Sequence, residues 1–231
     1  MRLAVSAPPD MAGGQQRVLA YAAHELRNPL ATQRALLELA LADPNADVAT
    51  WREIGEDVLG ACRRQERLVE SCLTLARSQD GPQRREAVDL GATAAAALDA
   101  HTCGGLEHVL QLEPAWTIGD PDLVGRLAAN LVSNAIRHNL VCGRVEVATR
   151  TESGRAVLIV ANTGPPVPPT ELQRLFQPFQ RLASDPTNVG EGVGLGLAIV
   201  LAIADAHDAT LTAHVRPGGG LVIGVAFHAL D

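Results

Sequence analysis

Lysine is absent from this chain of 231 residues, and aromatic residues are scarce. All 19 basic residues are arginine, so every cationic side chain is a guanidinium. The formal net charge of −7 argues against a nucleic-acid-binding surface, because such proteins are usually basic. Aromatic residues make up 3% of the chain, and much of the apolar content of 47% is alanine. This composition suits a soluble protein with closely packed helices.

Long hydrophobic runs and paired cysteines are also missing. No run reaches the roughly 18 apolar residues of a transmembrane helix, so no membrane span is predicted. The N-terminus lacks the charged and apolar regions of a signal peptide. The four cysteines form no CxxC pair and have no metal-ligand spacing. They predict reduced, mostly buried thiols of a cytosolic protein.

The first third of the chain has the pattern of a helical hairpin behind a short leader. Residues 1–12 are expected to be a flexible leader and residues 13–80 to form the hairpin. Helix-forming residues fill positions 14–42, and a D-P-N sequence then breaks the pattern as a turn does. The second helix carries a heptad seam at Ile54, Val58, Ala61, Gln65, Leu68, Cys72 and Leu75.

The apolar stripe of this hairpin is too wide for one partner helix. The economical arrangement is a four-helix bundle formed by a homodimer. A monomeric hairpin that packs on the rest of the chain is the alternative.

The composition changes at residues 81–87, and this segment is predicted to be a linker. The pattern of residues 88–231 predicts an α/β domain. A G-containing turn at 152–154 indicates a β-hairpin. Long helices between paired strands predict a sheet covered by helices on one face. We expect helices at 89–100, 120–138 and 193–206, and strands at 108–112, 144–149, 156–161, 210–215 and 221–227.

The sequence His24-Glu25-Leu26-Arg27-Asn28-Pro29-Leu30 is the most informative segment. An imidazole can carry a covalent intermediate, and an adjacent carboxylate can orient or deprotonate it. The amide of Asn28, four residues on, lies on the same helical face as His24.

A second group of polar residues follows about a hundred residues later. Asn130 and Asn134 are four residues apart and share a helical face. A carboxamide oxygen is a hard, neutral ligand that suits Mg²⁺, and Arg137 adds a cation at the next step of the helix. Considered alone, the same pattern also fits surface amides on an amphipathic helix.

Glycine-rich turns complete the pattern. A strand ends in N-T-G-P-P at 162–166, two phenylalanines at 176 and 179 precede Arg181, and alternating glycines open a helix at 190–196. Backbone N–H groups at such a turn bind anions. The spacing GxGxG without a preceding strand argues against a dinucleotide fold. A glycine-rich loop between core elements is the alternative.

Taken in order, these motifs resemble the sensor histidine kinases of two-component systems, from about Gln15 to the C-terminus. The resemblance implies a dimeric helical hairpin, a four-helix bundle in the dimer, followed by an α/β sandwich ATP-binding domain of the gyrase/Hsp90/kinase/MutL type. It implies ATP and Mg²⁺ as cofactors, and a homodimer and a response-regulator receiver domain as partners. We expect a cytoplasmic chain without a membrane span, and the resemblance is also compatible with the soluble part of a membrane-anchored sensor.

The resemblance also assigns roles in the hairpin. His24 matches the phosphoacceptor and Glu25 its base. Asn28 matches a Thr-or-Asn position that orients water for dephosphorylation of the partner.

In the second domain the resemblance assigns residues around a nucleotide. Asn134 matches a Mg²⁺ ligand, and the segment between Arg181 and Gly192 matches the lid over ATP. The remaining matches are contacts to the base, sugar and phosphates, at Asn130, Arg137, His138, Asn162, Gly164, Arg181, Gly192, Gly194 and Gly196.

The third box departs from the family. Relatives usually have D-x-G-x-G, whose carboxylate accepts a hydrogen bond from the adenine amino group, whereas this chain has Asn162, Gly164 and Pro166. Loss of charge assistance of about 1 kcal/mol predicts ATP affinity weaker by roughly five- to tenfold. Pro166 also removes one N–H donor, and Asp208-Ala209 replaces a frequent Gly-Gly pair.

Two other functions stay open at this point. One is a kinase-poor module that mainly dephosphorylates or scaffolds its regulator, through Asn28. The other is an ATPase or serine kinase that shares only the nucleotide domain, against which the hairpin bearing His24 argues.

Overall fold

The computed structural model describes residues 3–5, 11–44, 46–101, 105–181 and 194–230, without the side chains of residues 3, 11–21, 24 and 28. The chain forms two compact units. One comprises Pro8–Leu73, and the other comprises Met1–Ala7 with Thr74–Asp231.

The first unit consists mainly of two long helices, α1 (Met11–Ala42) and α2 (Val48–Gln79), and the last residues of α2, from Thr74, are counted with the second unit. At 32 residues each, they are about 48 Å long. Asp47 caps α2, since its carboxylate accepts from the N–H and the hydroxyl of Thr50 at 2.8 Å. Every residue of the heptad seam is buried or half-buried, so the predicted helical hairpin is confirmed.

Polar side chains cross the interface between the two helices. Gln33 is 8% exposed and donates to the carbonyl of Val58 at 3.3 Å. Gln65 donates to the carbonyl of Leu26 at 3.5 Å. Because a buried amide must find a partner, these bonds fix the register of α1 against α2.

The second unit contains a six-stranded and a two-stranded sheet. The large sheet has the order β1-β7-β8-β6-β5-β3, and the small one pairs β2 with β4. Among the strand pairs of the described residues, only β3 and β5 run parallel. The strands are β1 (Leu3–Val5), β2 (Glu86–Asp89), β3 (Glu107–Leu112), β4 (Trp116–Gly119), β5 (Arg144–Glu152), β6 (Arg155–Asn162), β7 (Thr210–Val215) and β8 (Leu221–His228).

Three helices cover one face of the large sheet: α3 (Leu90–Asp99), α4 (Pro121–Arg137) and α5 (Gly196–Ala206). The strands alternate accordingly, with Val145 and Val147 of β5 buried and Glu146 between them half-exposed. A short 3-10 helix (Arg174–Phe176) contacts α5. This is the mixed α/β domain that the sequence predicts.

The N-terminal leader and the linker differ from expectation. Leu3–Val5 forms an edge strand antiparallel to β7, where the sequence predicts a flexible leader, and α1 already begins at Met11. Within the predicted linker 81–87, strand β2 begins at Glu86 and pairs with the unpredicted β4. Strands of three or four residues are too short to show an alternating pattern.

The burial of the cysteines and the apolar character of the helices can be compared with what the composition predicts. Cys62 and Cys72 are half-buried and Cys142 is exposed, so the prediction of mostly buried thiols is wrong for the described cysteines. Burial raises the pKa of the Cys72 thiol. Among the described residues, no helix has the length and apolar character needed to cross a bilayer.

Candidate functional site

Helix α4 provides the polar face of the site. Asp120 caps it by accepting from the N–H groups of Asp122 and Leu123 at 3.0 and 3.3 Å, and Pro121 occupies the first turn. The opposite face of α4 is buried, at Leu123, Val124, Leu127, Ala128, Leu131, Val132 and Ala135. Burial of this apolar face leaves the amides of the helix at the surface of the domain.

Asn130 lies directly against the start of α5. A Cβ placed on Gly196 would lie 3.2 Å from Oδ1 of Asn130. The amide is oriented by its Nδ2, which donates to the carbonyl of Arg126 at 2.8 Å. No side chain caps α5 at Leu195, so the first N–H groups of this helix can receive an anion.

Asn134 is one turn further along α4 and half-exposed. Its side chain makes no hydrogen bond to any residue that the structure describes, which leaves the amide oxygen available as a ligand. Arg137 is exposed in the last turn, and the exposed His138 ends the helix, with its N–H donating to the carbonyl of Asn134 at 3.1 Å.

Asn162 is held at the end of β6 with its amide in a fixed orientation. Nδ2 donates to the carbonyl of His138 at 3.2 Å and to the carbonyl of Thr163 at 2.7 Å. Both partners are acceptors only, so they select the NH₂ side of the amide. Oδ1 is therefore the atom presented as an acceptor, on a residue that is 4% exposed.

The turn after Asn162 is packed too closely for side chains. A Cβ on Gly164 would lie 2.5 Å from the carbonyl oxygen of His138, and one on Gly220 would lie 2.0 Å from that of Asn162. Gly219 and Gly220 have φ of +103° and +90°, which glycine alone adopts readily. The β7–β8 turn thus supports the N-T-G-P-P segment, and Gly220 donates to the carbonyl of Pro165 at 3.1 Å.

Thr163 and Asn139 connect this turn to the end of α4. The Thr163 hydroxyl donates to Oδ1 of Asn139 at 2.6 Å and accepts from the N–H of Arg144 at 2.7 Å. No sequence pattern predicts the roles of Thr163 and Asn139. The G-G-G run at 218–220 is a signal for Gly219 and Gly220, whose roles were not predicted either.

Phe179 and Gly194 hold the two ends of the predicted lid together. The N–H of Phe179 donates to the carbonyl of Gly194 at 2.8 Å. Both residues have positive φ, +64° and +72°, and for a phenylalanine this conformation is strained by about 1–3 kcal/mol. Arg181 is exposed beside this contact, whereas Gly192 and the lid between them lie outside the described residues.

His24, Glu25 and Asn28 all lie on α1. Pro29 is inside the same helix and lacks an N–H, so the carbonyl of Glu25 loses its usual donor four residues on. Glu25 is half-exposed. The predicted residues of the hairpin and those of the α/β unit therefore belong to different units.

Within the α/β unit, the structure brings the predicted residues into two clusters along α4, one at each end of the candidate site. Asn130 with Gly196 lies at one end, and His138 with Asn162 and Gly164 lies at the other. The eight residues from Asn130 to His138 rise about 12 Å along α4, with Asn134 between the clusters.

Two family models match the chain. The His Kinase A (phospho-acceptor) domain matches residues 15–81. The histidine kinase-, DNA gyrase B- and HSP90-like ATPase matches residues 119–230.

Similar proteins cover most of the chain. Sensor protein CutS of Streptomyces coelicolor is 46% identical over 216 residues, which are 91% of this chain and 52% of CutS. The chain thus spans about half the length of the curated relatives that it matches. The histidine kinase AdeS of Acinetobacter baumannii has a similar structure, with a TM-score of 0.68 and 22% identity over 90% of this chain and 98% of that one. The histidine kinase ThkA in complex with response regulator protein TrrA gives a TM-score of 0.65 and 17% identity, over 91% of this chain and 60% of that one.

Proposed function

Because the chain belongs to the sensor histidine kinases, we propose that it is an ATP-dependent protein-histidine kinase core that phosphorylates His24. The observation that carries this proposal is the arrangement along α4. The cluster of Asn130 with Gly196 lies about 12 Å from the cluster of His138 with Asn162 and Gly164. Such a surface fits one nucleotide, with its phosphates at Gly196 and its base at Asn162.

The base would be recognised by Asn162. Its Oδ1 accepts no hydrogen bond from the residues that the structure describes, while Nδ2 is occupied by two carbonyls. The adenine amino group is a donor and pairs with this oxygen, whereas the carbonyl at the same position of guanine would meet another acceptor. Gly164 lies close to the same amide, since a Cβ placed on it would lie 3.0 Å from Nδ2.

The phosphates would lie against the uncapped start of α5, between Gly194 and Asn130. Arg137 and Arg181 would supply positive charge, and the glycine at 192 would belong to the same loop. Among the described residues, no group of three or more His, Cys, Asp or Glu side chains could hold a metal ion. Mg²⁺ would therefore be bound by the amide oxygen of Asn134, by water and by the phosphates of ATP, which fits its preference for oxygen ligands.

The chemical step would transfer the γ-phosphoryl group to His24. A ring nitrogen of His24 attacks the γ-phosphorus, the bond to the β–γ bridging oxygen breaks, and ADP leaves. Glu25 would accept the imidazole proton or orient the ring. An Asp carboxylate of a response-regulator receiver domain would then take the phosphoryl group, and positioning and charge neutralisation would supply most of the rate enhancement.

A homodimer is supported by apolar residues on the surface of the hairpin. Leu30, Leu37 and Leu41 are 56%, 38% and 75% exposed and lie on one face of α1, at spacings of seven and four. On α2, Leu59, Val69 and Leu73 are 57%, 43% and 54% exposed. A second hairpin would cover this apolar surface and complete a four-helix bundle. We infer that the chain consists of the hairpin, a short linker after α2 and an ATP-binding domain that already includes β2, and that it acts in the cytoplasm, where ATP and its regulator are found.

Dephosphorylation of the regulator is a second activity that we propose for the same chain. Asn28, one turn after His24, would orient the attacking water. A neutral amide at 162, where relatives use a carboxylate, favours a balance shifted from kinase towards phosphatase or scaffold. Asn28→Ala should then slow regulator dephosphorylation and leave labelling of His24 intact; equal dephosphorylation by both proteins would remove this mechanism.

The kinase assignment is tested by labelling the purified chain with ATP that carries a radioactive γ-phosphate. We expect label that is stable in base and lost in acid, as for a phosphohistidine, and absent from His24→Gln. His101→Gln is the matched control, since His101 lies just past α3 in the α/β unit, where its Nδ1 hydrogen bonds to the carbonyl of Ala97. Acid-stable label, or label retained in His24→Gln, would contradict the assignment.

A further inference from the structure

The chain leaving α2 is fastened to the first turn of α4 by Arg84. Its Nη2 lies 2.5 Å from Oδ2 of Asp122, and its backbone N–H donates to Oδ2 of Asp120 at 3.3 Å. A longer contact of 3.7 Å joins Nη1 to Glu86 at the start of β2. Arg84 therefore connects the linker to the helix that carries Asn130 and Asn134.

The attachment point on α4 is itself rigid. The carboxylate of Asp120 accepts from three N–H groups, while its own N–H donates to Nε2 of His207 at 3.0 Å. Nδ1 of His207 donates in turn to the carbonyl of Ile203 at 2.8 Å, which fixes the tautomer. His207 ends α5, so the start of α4 and the end of α5 are joined at the point where the linker arrives.

Little chain remains to bend between α2 and this attachment. Helix α2 ends at Gln79, and the N–H groups of Asp80 and Gly81 still bond to carbonyls of its last turn. Gly81 has φ of +76°, and Pro82 is half-buried. Residues 81–83 are thus the segment whose bending can change the direction from α2 to α4.

The Arg84–Asp122 pair is too exposed to contribute much to folding. The side chains are 50% and 80% exposed, and ion pairs of this kind contribute about 0–1 kcal/mol to stability. The pair has a larger effect on how far the linker can bend. It shortens the hinge, which is the segment between α2 and the α/β unit that can bend, by two residues. A hinge of five residues rather than three lowers the effective concentration of linked groups by about twofold.

On the basis of the proposed function, we propose that Arg84 is a positioning residue for phosphorylation of His24: by bonding to Asp122 and Asp120, it ends the hinge at residue 83 and so limits the length of chain that can bend between α2 and the nucleotide-binding unit. Arg84 touches neither the nucleotide nor His24 in this role. Its role is to change how often the bound nucleotide and His24 come into contact.

The test is a double-mutant cycle on autophosphorylation with Arg84→Ala and Asp122→Ala. We expect each variant to lower kcat by about twofold or more, with the nucleotide Kd and the Tm unchanged, and the double variant to be no slower than either single one. Arg84→Lys should recover most of the rate. Arg85→Ala is the matched control, an exposed neighbour with no recorded ion pair among the described residues, and should match the parent.

A variant with Gly-Ser inserted after Gln83 separates the possible failures. It should be slow whether or not Arg84 is present, because it lengthens the hinge directly. Normal kcat in Arg84→Ala and Asp122→Ala beside a slow insertion variant would overturn the role of Arg84. A raised nucleotide Kd in Arg84→Ala would also overturn it. A parent chain that binds no ATP or labels no histidine would instead contradict the proposed function.

Discussion

Gly196, the first residue of α5, contacts the side chain of Asn130 on α4 so closely that a Cβ would lie 3.2 Å from Oδ1. The glycine motif and the Asn motif, 66 residues apart in sequence, therefore form one surface. The amide cannot move away freely, because its Nδ2 is bonded to the carbonyl of Arg126.

Gly196→Ala should weaken ATP binding without unfolding the domain. Alanine favours a helix over glycine by about 1 kcal/mol, but the added methyl group pushes the amide of Asn130 towards the phosphates. We expect a Kd for ATP raised severalfold in a fluorescent-nucleotide titration, with an equal or higher Tm. Gly125→Ala on α4 is the control, since no atom lies within 4 Å of its Cβ position. Equal affinity of both variants would show that the contact is irrelevant to the nucleotide.

Asn162→Asp should not improve ATP binding, although it restores the residue that relatives usually have. One carboxylate oxygen would replace the Nδ2 that now lies 2.7 Å from the carbonyl of Thr163 and 3.2 Å from that of His138. Facing acceptors repel, so we expect lower affinity for ATP and a lower Tm. Gln111→Glu, an exposed change of the same charge on β3, is the control. Tighter ATP binding by Asn162→Asp would contradict the orientation that we assign to the amide.

Acid should destabilise the α/β unit partly through Asp120. Burial raises the pKa of this carboxyl, but hydrogen bonds from the N–H groups of Leu123, Arg84 and Asp122 and the charge of Arg84 outweigh it, so the net pKa is lowered. A lowered folded pKa gives stability that is present above the unfolded value of about 3.9 and lost as pH falls through the folded value.

Asp120→Asn keeps a capping side chain and removes the titration. Its free energy of unfolding in urea should fall less than that of the parent between pH 5 and pH 3. Asp80→Asn, an exposed carboxylate just past α2, serves as the control and should follow the parent. Identical pH profiles for all three proteins would exclude this contribution of Asp120.

The homodimer depends on one face of α1. Leu41→Glu places a charge in the apolar face shared with Leu30 and Leu37 and should shift the chain to monomers in light scattering after gel filtration. Leu39→Glu is the matched control, because Leu39 is 69% exposed but points to the opposite side of the helix. Dimers of equal strength in both variants, or a monomeric parent, would contradict the proposed bundle.

Sequence patterns predicted the parts of the fold that are long and periodic. The heptad seam of α2 and the amphipathic pattern of α4 are visible because helices of 32 and 17 residues repeat the pattern many times. The strands β1, β2 and β4 have three or four residues and show no such repeat. Their pairing depends on contacts distant in the chain.

The same distinction applies to the site. Residue types and order pointed to Asn130, Asn134 and the glycines, but the supports of these residues could not be predicted. From the sequence, the amide of Asn162 predicts weaker ATP binding, since it lacks the charge of a carboxylate. In the structure it satisfies two carbonyls, a role that a carboxylate cannot fill. Likewise, the bond from Asp120 to His207 joins residues 87 positions apart and leaves no pattern in the sequence.

We propose that amides of α4 and the start of α5 together form one Mg-ATP site. Titration of the purified chain with ATP, with and without Mg²⁺, checks this site when Asn134→Ala is measured in parallel. We predict saturable binding that tightens with Mg²⁺ in the parent and loses this Mg²⁺ dependence in Asn134→Ala. Binding of equal strength in both proteins, or a parent affinity that does not change with Mg²⁺, would rule out the proposed site.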